Sequence, residues 1–274
     1  MSHRKGLGMS RLAIIGGGFM GSALAEGLID SGWGRESITI AEVRSSRREF
    51  ITQQLRVPTT DSAADAVAEA QIVLFAVKPQ QIHATLQHVK DAFLPSKLAV
   101  SICAGVTIAT FERELGEVPV IRTMPNTPAA IGMGVTAIAR GTHATDQHLA
   151  DALNILSTVG KVVVVNEDQM DTVTAVSGTG PAYVFYLAEA LIEAAMELGM
   201  SRQQAYTLTY QTFRGASTLL AHDGAGPLEL RSRVTSPNGT THAAITHLES
   251  KQWKETFKQA VTAARDRAIE LGRG

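Results

Sequence analysis

The 274-residue chain has one cysteine, Cys103, so it can build neither a disulfide framework nor a cysteine metal cluster. Such usage implies a reducing compartment, and a cytoplasmic location is the expectation. Net charge is almost absent, at −1 near neutral pH, whereas sequence-independent nucleic-acid binding needs clustered Lys and Arg. No uncharged apolar run reaches membrane-spanning length. Neither nucleic acid nor membrane is therefore expected as a partner. The opening MSHRKGLGMS lacks the apolar stretch of a secretory signal. Residues 1–10 read as a disordered leader or tag remnant, with Met9 as a candidate start. Strand signals are also missing after about Asn166, where Ala/Leu-rich helical patterns take over.

What is present begins with LAIIGGGFMGSALAEGLIDSG, residues 12–32. Leu12 to Ile15 read as a short buried strand and Phe19 to Ile29 as a helix. Between them Gly16, Gly18 and Gly21 fall at G-x-G-x-x-G spacing. In that frame the first glycine permits a tight turn, the second admits a pyrophosphate to the backbone, and the third lets helix and strand pack closely. The helix start then offers free N–H groups to the phosphates. Alternation continues through SITIAE, RREFITQQL, VPTT and DAVAEA to QIVLFAV, a continuous apolar run of the kind found in central parallel strands. LAVSICA, VPVIRTM, GVTAIA and KVVVV add further strands, with an antiparallel edge among the later ones. The expected fold class is α/β: a Rossmann-type, mostly parallel sheet over residues 11–165, then an all-helical domain over 166–274.

In the helical half, Pro181 suits a helix start and Gly199 its end, while Ser201 and Gln204 form a capping box for the next helix. A third helix runs from about Trp253 to Leu271. The segment Ala182 to Leu198 carries only Glu as charge and is apolar around most of its circumference. A helix of that kind is buried, and a domain this small offers limited interior. A homodimer through this half is expected, with a merely well-buried central helix as the competing reading. Phe185 and Tyr186 are expected to pack in the helical core.

The cofactor's identity turns on the end of the second strand. Glu42 lies close to where an acidic residue binds the ribose of NAD. AEVRSSRR follows at once, and Arg44, Ser45 and Arg47 can cradle a 2′-phosphate through planar donor forks. Arginines on a solvated helix start are the plainer alternative. NADPH is the favoured cofactor, with NADH also usable.

Four further stretches narrow the reading: LFAVKPQ (Leu74 to Gln80), RTMPNTPA (Arg122 to Ala129), AVSGTGPAYVFYLAEAL (Ala175 to Leu191) and VTSPNGTTHAAITHLE (Val234 to Glu249). With the N-terminal IGGGFMG, they resemble pyrroline-5-carboxylate reductase across essentially the whole chain and in the same order. The resemblance implies an NAD(P)H-dependent oxidoreductase acting on a CH–NH group. Its reaction would reduce 1-pyrroline-5-carboxylate to L-proline, the last step of proline biosynthesis. It also implies site residues. Ile15, Gly16, Gly17, Gly18, Phe19 and Met20 would line the pyrophosphate, with Gly21 completing the glycine motif. Ala76, Val77, Lys78 and Pro79 would lie along the nicotinamide half, with Cys103 and Ala104 close by. Glu167, Gly239, Thr240 and Thr241 would hold substrate. The helical domain would interleave with that of a second subunit, and a decamer of dimers is the larger assembly it allows. Several positions depart from the pattern. Around GAGPLELRSRV the usual His-Pro and the Asp before the loop are absent, so no substrate contact is carried onto Arg231 or Arg233. Asn238 replaces the first glycine of the usual pair, and Ala63 stands where an Asn often contacts the adenosine.

The chemistry requires a holder for the substrate carboxylate and a group to orient its ring nitrogen. Consecutive N–H groups where SPNGTT enters a helix serve the first need. Thr241, the catalytic residue by resemblance, would direct its hydroxyl at the nitrogen without acting as the acid. A capping turn alone is the plainer reading of that loop. His242 and His247 are five residues apart, a poor spacing for metal ligands on one helix face, and no metal site is expected. The rival function is another small-molecule dehydrogenase, such as a β-hydroxyacid dehydrogenase. That class resembles a family with a catalytic Lys on the helix after a Gly-rich turn, and no Lys occurs from Gly178 to Met200.

Overall fold

The structure, a computed structural model, describes residues 11–272. The expected leader over residues 1–10 lies outside the described residues. The chain divides into two compact units, one running to Thr179 and resumed from Ala264, the other Gly180–Ala263.

In the first unit, strands and helices alternate as β1 (Leu12–Ile15), α1 (Phe19–Asp30), β2 (Ile38–Ala41), α2 (Ser45–Leu55), β3 (Thr59–Thr60), α3 (Ala63–Ala68), β4 (Ile72–Phe75), α4 (Ile82–Val89), β5 (Leu98–Ser101), α5 (Ile108–Leu115), β6 (Val120–Met124), β7 (Gly134–Arg140), α6 (Asp146–Leu156) and β8 (Gly160–Val164). They form one eight-stranded sheet in the order β3-β2-β1-β4-β5-β6-β7-β8. Every pairing is parallel except β6 with β7. Because β8 pairs parallel to β7, both strands run against the other six, and the expected antiparallel edge is a two-strand one.

The apolar runs are continuous because both sheet faces are covered. Leu12, Ile14, Ile72 and Leu74 enter one core, and Ala13, Ile15, Val73 and Phe75 enter the other. Phe75 also packs edge-on against Phe111, with ring centroids 5.2 Å apart. This two-sided burial holds the C-terminal ends of β1, β4 and β5 side by side, where ligands bind in open α/β sheets.

After β8, α7 (Met170–Val173) runs into a π-turn at Thr174–Gly178. The Thr179 N–H and hydroxyl both donate to the Thr174 carbonyl, at 2.8 and 2.9 Å. Pro181 has no N–H for the Ser177 carbonyl four residues back, and that oxygen instead accepts from Asn126 Nδ2 at 3.1 Å. The helical path therefore starts well before the proline that marks it in the sequence.

The second unit contains α8 (Gly180–Glu197), α9 (Arg202–His222), α10 (Pro227–Arg233) and α11 (Thr240–Ser250). It ends within α12 (Trp253–Gly272), whose residues from Ala264 belong to the first unit. The Ser201–Gln204 capping box is formed. Of α8 only Ile192 is buried in the single chain. Phe185 is 66% and Tyr186 76% exposed, which corrects the expectation that they pack in the core of their own chain. Burying such a side chain is worth about 1.5–3 kcal/mol, so an apolar helix this bare lacks a covering surface in its own fold. Among the described residues no helix is long and apolar enough to cross a membrane.

Candidate active site

The glycine turn between β1 and α1 is built to its sequence. Gly16 has φ +109°, and a Cβ there would lie 2.6 Å from the Ala76 carbonyl oxygen. Its N–H donates to Ala41 at 2.8 Å, tying the turn to the end of β2. At Gly21 a Cβ would meet the Gly16 oxygen at 2.2 Å, so helix and turn approach as closely as backbone allows. Gly18 is different: no heavy atom lies within 4 Å of the place its Cβ would occupy. The open space lies at the start of α1, where Gly18 provides no side-chain cap and the first amides stay free. Three glycines with these three surroundings fit a pyrophosphate over the turn. Ile15 is buried at the strand end, Met20 half-buried and Phe19 exposed. Gly17 is held from beyond the motif. Its carbonyl accepts from Arg47 Nε at 2.7 Å, and Arg47 Nη2 donates to Ser22 Oγ at 2.9 Å. Arg47, expected near a 2′-phosphate, is thus engaged with the glycine turn.

Glu42 is buried directly after β2. Arg44 donates to it three times: through its backbone N–H at 3.1 Å, through Nε at 3.0 Å and through Nη2 at 3.2 Å. Burial alone would raise the Glu42 carboxyl, but these bonds and the guanidinium charge outweigh it and hold the group below the usual carboxylate range. Arg44 and Ser45 are exposed at the uncapped start of α2. An acid and a base that answer to opposite cofactor features therefore sit in one pair. Ala63 opens α3, where Ser62 caps the Asp65 amide at 3.2 Å.

Two more strand ends complete this side. Ala76 and Val77 are half-buried after β4, exposed Lys78 starts a short turn at Pro79, and Ala104 is exposed after β5. Cys103 is only 2% exposed, and its thiol donates to the carbonyls of Phe75 at 3.5 Å and Val77 at 3.4 Å. Burial pushes that thiol up to about 11, so it is neutral at physiological pH and cannot serve as a nucleophile. Its part is to bind the β4 and β5 ends together.

Glu167 lies elsewhere in the same unit. Its Oε1 accepts from the Ile108 N–H at 2.7 Å and from Arg122 Nη1 at 3.0 Å. It caps the start of α5 and pairs a guanidinium that is only 7% exposed. Nothing in the sequence around Glu167 signals partners 59 and 45 positions away.

In the second unit, Asn238 adopts φ +59°, the left-handed conformation that Asn tolerates better than other non-glycine residues. A turn that needs a positive φ here is therefore compatible with Asn in place of glycine. Gly239 follows as the residue before α11, and a Cβ on it would lie 2.4 Å from Ser236 Oγ. Gly239 has no side chain to cap α11, so the N–H groups of its first turn point from an uncapped helix start. Thr240 and Thr241 are the first two residues of that helix, one exposed and one half-buried. The arrangement can accept a carboxylate without a basic side chain.

Comparison with known proteins brings both halves together. A family model described as pyrroline-5-carboxylate reductase dimerisation matches residues 167–271, and one described as NADP oxidoreductase, coenzyme F420-dependent, matches residues 11–105. The pyrroline-5-carboxylate reductase of Mycobacterium tuberculosis is 40% identical, over 96% of this chain and 97% of its own. A solved pyrroline-5-carboxylate reductase from Coxiella burnetii superposes with a TM-score of 0.89 at 37% identity, covering 96% of this chain and 98% of its own. The Plasmodium falciparum pyrroline carboxylate reductase, solved with NADP bound, gives 0.88 at 29% identity, over 97% of this chain and 100% of its own. With relatives this similar over nearly their full length, the chain belongs to the pyrroline-5-carboxylate reductase family.

Proposed function

We propose that this chain reduces 1-pyrroline-5-carboxylate to L-proline with NADPH, and with NADH as a second donor, in the cytoplasm. Residues 11–165 bind the dinucleotide, and residues 166–274 dimerise and hold substrate. The observation that carries this reading is the SPNGTT turn: left-handed at Asn238, closed at Gly239 and opening into uncapped α11, within a chain of this family.

When bound, the reduced nicotinamide supplies a hydride for the C=N carbon. The protein does the rest. Gly16 to Met20 and Gly21 hold the pyrophosphate on free amides. Arg44 and Ser45 take the 2′-phosphate. Ala76 to Pro79, with Cys103 and Ala104, wall the nicotinamide side. The amides at Gly239, Thr240 and Thr241 grip the substrate carboxylate. The Thr241 hydroxyl orients the ring nitrogen, and the proton arrives on the imine or through water, because a threonine hydroxyl is a poor acid near neutral pH. Glu167 serves substrate binding through its position beside Arg122, leaving its charge on that guanidinium. The molecule works as a homodimer through its helical region, on which larger rings can build. The hydroxyacid dehydrogenase alternative is not favoured, since α8 offers no Lys for the hydroxyl proton.

The deciding assay follows NADPH and NADH absorbance separately on adding the five-membered imine acid. Oxidation of the coenzyme with formation of proline is expected; a folded sample consuming neither coenzyme would overturn the reading. Arg44→Ala separates the two donors. Removing one charge-assisted phosphate contact is expected to raise the KM for NADPH about tenfold. The same change frees the Glu42 carboxylate for a ribose hydroxyl, so the KM for NADH is expected to hold or fall. An unchanged KM for NADPH would return Arg44 to the solvated surface.

A further inference from the structure

Arg47 has no place in the chemistry above, although the fold brings it against the glycine turn. It is the third residue of α2, and its guanidinium is half-buried. One edge of that group meets two neighbours: Nε donates to the Gly17 carbonyl at 2.7 Å and Nη2 to Ser22 Oγ at 2.9 Å. Ser22 Oγ donates to the same carbonyl at 3.2 Å, so the three groups close a ring. Ile51 lies four residues on, along the same face of α2. A Cβ on Gly17 would come within 2.4 Å of its Cδ1. The helix therefore holds Gly17 twice, by a packed aliphatic chain and by a cation on its carbonyl.

A peptide group is planar, and its carbonyl points opposite to the next N–H. Fixing the Gly17 carbonyl on Arg47 thus fixes the direction of the Gly18 N–H. No described residue accepts from that N–H, and Gly18 is where open space meets the turn. A peptide not held by Arg47 is free to rotate and to set a carbonyl oxygen where a diphosphate has to come. The charge argues the same way. Among the described residues the Arg47 guanidinium meets two oxygens and the Phe50 ring, 4.8 Å from its centroid, but no carboxylate. A half-buried cation without an acid is costly alone and is satisfied by an anion nearby. The start of α1 adds the positive end of its dipole.

We propose that Arg47 is a positioning residue for the diphosphate that NADPH and NADH share, acting through the Gly17 carbonyl and not by touching the 2′-phosphate. The assignment rests on the coenzyme site read at residues 15–21 and names the side chain that sets its backbone. It also divides the two arginines: Arg44 answers to one coenzyme, Arg47 to both.

Calorimetric titration of NADPH and NADH into the parent, Arg47→Met and Arg47→Lys, beside steady-state kinetics, tests this. Methionine keeps most of the aliphatic stem and removes the donors and the charge. It is expected to raise both dissociation constants by the same factor, about tenfold or more. With saturating coenzyme, kcat is expected to stay within about twofold. Lysine keeps the charge and one donor without the fork, and is expected to weaken both coenzymes only about threefold. A residue that merely braces the fold would lower the melting temperature and leave the affinities of the folded protein unchanged. Where the variants fail to fold, NMR of the native Arg47 Nε–H decides. Its exchange is expected to be at least about tenfold slower than that of a free guanidinium, with and without either coenzyme. The proposal is overturned if folded Arg47→Met binds both coenzymes as the parent does, or if the native Nε–H exchanges at the free rate. A loss confined to NADPH would make Arg47 a 2′-phosphate ligand and overturn it equally. A parent that binds neither coenzyme would overturn the coenzyme reading itself, and this assignment with it.

Discussion

Thr241→Ala is expected to slow turnover of the imine about a hundredfold, a loss of about 2.7 kcal/mol in the transition state. The KM for the imine is expected to stay within about twofold, for a physical reason. The carboxylate is held by backbone amides at the start of α11, and a side-chain truncation leaves those amides in place. The hydroxyl acts on the ring nitrogen, where charge is redistributed as the C=N bond is reduced. An interaction made mainly in the transition state lowers kcat and leaves KM alone. Alanine is also a better helix former than threonine, so α11 is not weakened by the change. Thr241→Ser keeps the hydroxyl and should restore most of the rate. Steady-state kinetics on the three proteins, with melting temperatures alongside, would check this. Full turnover in Thr241→Ala would strip the residue of its role.

How much of this was readable in the sequence depends on how local the determining physics is. The strand–turn–helix at residues 12–32 was legible because each glycine answers a local demand: a positive φ at Gly16, open space at Gly18, backbone contact at Gly21. The buried strands were legible because a run such as IVLF at residues 72–75 has both faces covered. Asn238 was legible for the same reason, since its tolerance of φ +59° belongs to its own side chain. What stayed hidden depends on distant partners. Arg47 looks like a phosphate ligand until the fold carries it to the Gly17 carbonyl, 30 positions away. Glu167 gives no local sign of its partners, Arg122 and the Ile108 amide, which lie 45 and 59 positions away. The early helix start at Met170 was masked by Pro181, because a π-turn and Asn126 together absorb the carbonyl that the proline leaves unserved. Phe185 and Tyr186 show a further limit. Their apolar character was plain, but among the described residues of one chain nothing covers them, and they stay 66% and 76% exposed.

Gly18→Val separates binding from folding most sharply. Gly18 has φ −68° and ψ −168°, backbone that any residue adopts, and its Cβ position has no heavy atom within 4 Å. Valine therefore strains nothing in the protein, and the weaker cap before α1 costs under about 1 kcal/mol. The melting temperature is expected to fall by no more than about 4 °C. The isopropyl group, however, fills the open space above the turn and screens the free amides of α1, where the pyrophosphate must approach the backbone. Loss of that contact is expected to weaken NADPH and NADH alike by about a hundredfold or more, or about 2.7 kcal/mol. Gly16→Ala makes the contrast. Its φ of +109° and the Ala76 oxygen 2.6 Å from the new Cβ put the cost in the fold itself. The melting temperature of that variant should drop before binding is even measured. Calorimetric titration of both coenzymes, beside thermal melts of the two variants, distinguishes the cases. Normal coenzyme affinity in Gly18→Val would mean that the phosphates do not cross this turn, and the cofactor assignment for residues 15–21 would fall with it.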